Sequence, residues 1–147
     1  TYAALGTDGC DYVHSESESY TDSGYLATQA GVPHQKVAQV ISLILKEYKA
    51  VRDKNVSFAE LKKAKDYLKG ILTLSLESSD AQASFYAGQE LLAGKILTLQ
   101  EKCVKIDKIN LKDISEAASD IFKSEKLNLA LIGPHKQKQD FVKLLKL

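Results

Sequence analysis

Apolar residues recur along most of this chain at spacings of three and four, the period of an amphipathic helix. The cleanest run is Val37, Val40, Ile41, Ile44, Leu45, Tyr48 and Val51. Pro33 can open it, because a proline's missing N–H is unpaired at a helix start anyway. Asp53-Lys54-Asn55 ends it. Ser57 and Glu60 then form a capping box, followed by Leu61, Ala64, Leu68, Ile71, Leu72 and Ser75 on one face. Lys62, Lys63, Lys65, Asp66 and Lys69 fall on the other side, and Leu74 and Leu76 widen the apolar surface toward burial on more than one side. Glu77-Ser78-Ser79-Asp80 interrupts this pattern, and Ser79 with Gln82 offers the next cap. Ala83, Tyr86, Ala87, Leu91 and Leu92 carry a further helix that Gly94 can end. After a brief extended link at Ile96-Leu97, Thr98 with Glu101 caps a short helix with Leu99, Cys103 and Ile106. Asn110 with Asp113 caps another, whose face is Ile114, Ala117, Ala118, Ile121 and Phe122.

The period changes to two elsewhere. Residues 12–20, YVHSESESY, and 24–31, GYLATQAG, read as antiparallel strands joined at Thr21-Asp22-Ser23-Gly24. The first has little apolar content, so one face is wet or meets a polar cavity. Residues 126–132, KLNLALI, read as a strand that is apolar on both faces and so central in a sheet. Gly133-Pro134 stops it, and 135–147 form a last amphipathic helix through Phe141, Val142, Leu144 and Leu145. Residues 1–11 show no periodicity and form an irregular segment. The order is strand, strand, five helices or helical pieces, strand, helix. Two or three strands alone make a poor sheet. The expected class is α+β, an antiparallel-type sheet packed on one side by several helices and lacking its opening strands.

Composition narrows the function classes. The 147 residues are 44% hydrophobic and 27% charged, as in one globular domain. A net charge of +1 gives no electrostatic case for nucleic acid or an anionic membrane. No apolar run approaches a membrane span and no signal peptide is visible, although position 1 is not methionine. Cys10 and Cys103 stand in no metal or redox spacing, which fits free thiols and a cytoplasmic location, with a single disulfide left open. His14, His34 and His135 form no H-x-x-E-H set in either direction. His14, Glu16 and Glu18 share one side of a strand, and a solvated polar face outweighs a metal site there.

Several pieces, in order, resemble one family. VHSESESYTDSG from Val13 to Gly24 is similar to a strand–turn segment ending in Tyr-x-Asp-Ser/Thr-Gly. VSFAELKKAKDYLKG from Val56 to Gly70, LSLESS from Leu74 to Ser79, and GQELL from Gly88 to Leu92 follow. Thr98 to Asp107 and Leu127 to Pro134 complete the set. Together they resemble the C-terminal, non-catalytic domain of the insulinase, pitrilysin and mitochondrial processing peptidase family of zinc peptidases, most closely its smaller bacterial members. Residues 12–147 then form the C-terminal part of one such processing-peptidase-like domain.

The resemblance implies two similar halves closing around a peptide, one bearing zinc and the other supplying wall and substrate contacts. This chain looks like the second kind. No cofactor is expected in it; zinc is expected in the catalytic half. The implied partners are a zinc-bearing domain or subunit of the same family and a peptide substrate, with a homodimer open and neither nucleic acid nor membrane expected. The implied function is the non-catalytic, peptide-binding half of a zinc-dependent endopeptidase, inactive alone; the alternative is an inactive structural or assembly subunit. Family members carry an Arg and, seven residues later, a Tyr that help hold substrate. Aligned through Val13, those places hold Ala4 and Asp11. Tyr12, next to the second place, is the candidate substrate-binding residue if the register slips by one; otherwise it is a sheet residue without substrate contact. Residues 1–11 are either foreign to the domain, or joined to it out of place, or the mark of a lost substrate pair.

Overall fold

A computed structural model describes residues 10–53, 56–135 and 138–147. The expectations for Ala4 and for the rest of residues 1–9 lie outside the described residues. Two compact units emerge, one from the described residues before Val56 and after Ile114, the other from Val56–Ile114.

The first unit opens with a hairpin. Strand β1 (Tyr12–Ser19) pairs antiparallel with β2 (Gly24–Gly31) in a register that sets Tyr12 opposite Gly31 and Ser19 opposite Gly24. The turn falls where the sequence placed it, closed by a bond from the Tyr20 N–H to the Ser23 carbonyl (2.8 Å). Pro33 precedes a 3-10 turn, His34–Lys36, that leads into helix α1 (Val37–Asp53). A helix spaces its apolar residues at three and four, so α1 presents one stripe to the hairpin. Val40 packs on Val13, both 4% exposed, with Ala30, Val32 and Ile44 around them. A second cluster joins Val37, Ile41 and Leu45 to Leu127, Phe141, Leu144, Leu145 and Leu147. Tyr48 ties α1 to the inner face of the sheet. Its hydroxyl bonds Thr28 Oγ1 (2.6 Å), which bonds Ser15 Oγ (2.8 Å), and its ring stacks on Phe122 with centroids 4.5 Å apart.

In the second unit, α2 (Phe58–Ser75) begins at the expected box: Ser57 Oγ accepts from the Glu60 N–H (3.2 Å), and Glu60 Oε2 accepts from the Ser57 N–H (2.9 Å). Helix α3 (Ser79–Ala93) is capped by Ser78 rather than the expected Ser79. The Ser78 hydroxyl accepts from the Ala81 N–H at 3.2 Å, and Gln82 instead donates to the Leu76 carbonyl at 2.9 Å. Gly94 ends α3 at φ +60°, the left-handed conformation that favours glycine. Gln89 clamps the following link through both the N–H (3.2 Å) and the carbonyl (3.1 Å) of Leu97. Helix α4 (Leu99–Lys108) starts at the Thr98–Glu101 box and meets α2, where Lys69 Nζ reaches Asp107 Oδ1 at 2.8 Å. Leu76 is buried as expected, whereas Leu74 is 66% exposed. Helix α5 (Leu111–Ile121) opens with Asn110 and Asp113 bonding each other's backbone.

Two expected elements change. Residues 127–132 form no strand: after a 3-10 turn at Ser124–Lys126 the chain runs on without a ladder. The alternation of Leu127, Leu129 and Leu131 is real, but a strand also needs a backbone partner, and the only sheet among the described residues is β1–β2. The last helix shrinks to α6 (Lys138–Val142). Beyond Val142 the chain leaves the helix, and Leu144, Leu145 and Leu147 pack on the α1 cluster. Ser124 Oγ fastens this end through the Leu147 N–H (3.0 Å) and carbonyl (3.2 Å).

Candidate functional site

The hairpin has two unlike faces. Val13, Ser15, Thr28 and Ala30 point toward α1, so the alternation of a strand sends His14, Glu16 and Glu18 to the opposite face, with Tyr25 and Gln29 beside them. This outer face is the polar row read in the sequence. Gln29 Nε2 donates to Glu16 Oε1 across the strands (3.1 Å), holding that carboxylate in place. His14 Nε2 lies 4.0 Å from the other Glu16 oxygen, beyond hydrogen-bond reach. Tyr25, half exposed, sits 6.4 Å from Tyr20 between ring centres. Lost solvent contact holds the Tyr25 phenol above its ordinary value, reinforced by Tyr20 and by the Glu16 and Glu18 carboxylates. Glu16 and Glu18 are the acidic side chains of this face.

Tyr12 closes one end of this row. It is 51% exposed, and its ring covers Gly31 so closely that a Cβ there would stand 2.5 Å from Cε1. Glycine at 31 thus makes room for the ring. Asp11, at the other expected substrate position, donates its N–H to the Gly31 carbonyl (2.8 Å), so both residues gather at the same strand end.

A catalytic zinc sets the chemistry against which the described side chains can be compared. Such a site needs three protein ligands around an open position, and among the described residues no three His, Cys, Asp or Glu side chains converge. His34 and His135 do meet, with rings edge to face at 5.7 Å and Phe141 against His135, but no acidic or thiol group completes a set. Cys10 and Cys103 are free thiols. Among the described residues no helix is long and apolar enough to cross a membrane.

Sequence reasoning missed a groove of about 1590 Å³ lined by β2 and by Tyr12, Ser17, Glu18 and Ser19 of β1. All eight residues of β2 line it. Ile41, Ile44 and Tyr48 of α1 lie along it, and residues 126–132 form the far wall. Gln29 was legible in principle, since the position of the turn fixes its pairing with His14. The groove was not, because its walls lie about a hundred positions apart in sequence.

With this geometry in hand, comparison with known proteins gives a consistent answer. The sequence model of the peptidase M16 inactive domain matches residues 3–68. The zinc protease YmxG of Bacillus subtilis, itself described as uncharacterized, is 34% identical over 122 residues, covering 83% of this chain and 30% of that protein. The beta subunit of the mitochondrial-processing peptidase of Saccharomyces cerevisiae is 32% identical over 123 residues, covering 81% of this chain and 26% of that subunit. A chain of complex III2 from Candida albicans superposes with a TM-score of 0.68 at 29% identity, over 74% of this chain and 26% of that one. The chain belongs to the M16 peptidase family, the insulinase, pitrilysin and processing-peptidase family that its motifs resemble, and within it to the inactive C-terminal domain. It spans about 30% of the length of the curated relatives it matches.

Proposed function

We propose that this chain serves as the metal-free, peptide-binding half of a zinc endopeptidase, closing a substrate chamber against a zinc-bearing domain or subunit of the same family. One observation carries the reading: α1 covers Val13 and Ala30 on the hairpin's inner face, while the outer face stays open, with Glu16 held by Gln29 and Glu18 on the same side. A dry interface between elements would not tolerate unpaired carboxylates, and a strand kept polar only to deter aggregation needs no fixed cross-strand bond. Tyr12 stands at the end of that row as the residue in reach of a bound peptide. In this reading the partner supplies zinc, the attacking water and the general base, and this chain supplies shape and polar contacts.

The test combines this chain with the zinc-bearing family member from the same cells and follows cleavage of an unfolded peptide library. Cleavage that appears only with both polypeptides, and that falls when Glu16 and Glu18 are both changed to glutamine, supports the reading. Hydrolysis by this chain alone with one zinc per chain on elemental analysis overturns it. A second reading, an inactive assembly subunit, draws on the similarity to a chain of complex III2 and on Ala4 and Asp11 at the expected substrate positions. Stable association with that partner and no change in its cleavage rate selects this second reading.

A further inference from the structure

The chain has two prolines, and each stands directly before a histidine: Pro33-His34 at the entry to α1, and Pro134-His135 after the run 126–132. Though about a hundred positions apart in sequence, the two histidines meet within the first unit, ring centres 5.7 Å apart and planes at 80°. Each is held by a local turn. A proline's ring fixes its own φ; Pro33 sits at −59°, and its carbonyl accepts from the Lys36 N–H (2.9 Å). The His135 N–H donates to the Gly133 carbonyl (2.8 Å), and Phe141 packs edge to face on the His135 ring, 5.1 Å between centres. Both imidazoles border one small space above Gly133. A Cβ there would stand 2.9 Å from His135 Nε2 and 3.4 Å from His34 Cε1. Cε1 lies between the two nitrogens of an imidazole, so His34 has a nitrogen one bond from that contact.

We infer that His34 and His135 form a two-imidazole site for a borderline divalent cation of the zinc and nickel class, which ties residues 133–135 to the head of α1. The spacing of the rings carries the inference. A metal–nitrogen bond of about 2.0–2.1 Å, with roughly 1.1 Å more from nitrogen to ring centre, puts each ring centre about 3.2 Å from a shared cation. Two such rings stand about 5.2 Å apart at the tetrahedral angle and about 6.4 Å apart at most. The observed 5.7 Å lies between these limits, so the backbone already holds the rings at bridging distance. His34 is exposed, and its ring is free to turn into the bond. Imidazole suits zinc, nickel and copper, whereas magnesium and calcium take oxygen ligands. Among the described residues no acidic or thiol side chain joins the pair. Two protein ligands hold a cation less tightly than the three or four of a resident zinc, so this one exchanges readily. With no carboxylate base beside it, the site is not a peptidase centre. The outer face of the hairpin takes no part, and the inference stands whether or not that face binds peptide.

Titration of the full 147-residue chain with Ni2+, followed by NMR of its three histidine side chains, tests the inference. Paramagnetic Ni2+ should broaden the His34 and His135 imidazole signals together, before that of His14. His34→Gln should lower the affinity read at His135 by about tenfold or more, and His135→Gln should do the same at His34. Ni2+ should also raise the urea midpoint of the unchanged chain, because it binds the folded state, and His34→Gln should abolish that gain. His34 is exposed, so the metal-free midpoint of the His34→Gln protein should stay in place and show the fold intact. Broadening of one of the two signals alone, or of His14 first, overturns the inference. So does an affinity at His135 unmoved by His34→Gln, which leaves the pair as ring packing only. A urea midpoint that Ni2+ does not raise, or raises equally in the His34→Gln protein, overturns it as well.

Discussion

A polar chain adds to the apolar contact between the hairpin and α1, and a double-mutant cycle at Tyr48 and Thr28 measures it. Tyr48→Phe removes only the hydroxyl, and with it the 2.6 Å bond to Thr28 Oγ1. Thr28 keeps its 2.8 Å bond to Ser15, so no polar atom is orphaned, and the cost stays near the low end for a hydrogen bond, about 0.5–1 kcal/mol. The phenylalanine ring still stacks on Phe122, whose centroid lies 4.5 Å from that of Tyr48. Tyr48→Ala also removes that stack and the half-buried ring, and the expected loss rises to about 2–3 kcal/mol. Thr28→Val combined with Tyr48→Phe should cost less than the two single changes together, with a coupling of roughly 0.5–1 kcal/mol. Urea unfolding followed by tyrosine fluorescence and circular dichroism gives each value, with an unchanged slope showing that stability alone has moved. A neutral Tyr48→Phe with zero coupling would refute the claim that this chain of hydroxyls joins sheet to helix. Equal losses for phenylalanine and alanine would refute the role of the stack.

Other consequences are equally direct. Gly94→Ala places a side chain at φ +60° in open space, so it should cost about 1 kcal/mol from backbone strain alone, read as a lower urea midpoint. The Glu60 carboxyl is held below its ordinary 4.5 by the Ser57 hydroxyl and N–H, and Glu101 likewise by the Thr98 N–H and hydroxyl. Since the unfolded chain binds those protons first on acidification, both caps contribute fully above that value and fade as pH falls through the lower folded values. A Glu60→Gln, Glu101→Gln protein should therefore show a flatter loss of urea midpoint between neutral and acid pH than the unchanged chain. In the pairing proposed above, Tyr12→Ala should raise KM about tenfold, the loss of one contact of roughly 1.4 kcal/mol; an unchanged KM assigns Tyr12 to the sheet alone. Gly31→Ala should mimic that defect, because its Cβ displaces the Tyr12 ring.

What the sequence determined is what neighbours along the chain decide. The boxes at Ser57–Glu60, Thr98–Glu101 and Asn110–Asp113 were legible because each is closed within three residues. The hairpin was legible because its turn fixes its register, and so was the polar outer face, since period two alone separates Glu16 and Glu18 from Val13 and Ser15. The cap at Ser78 rather than Ser79 shows the limit of that reading: two adjacent serines are equally good acceptors, and the direction of the incoming chain chose between them. Tertiary structure decided the rest. Alternation at Leu127, Leu129 and Leu131 states where side chains go but is silent on which backbone lies alongside. That run instead lines a groove together with β2, about a hundred residues earlier. The covering of Gly31 by Tyr12, the shortened final helix and the groove itself share that origin: each depends on which distant surface a segment meets, and a local pattern carries no information about that.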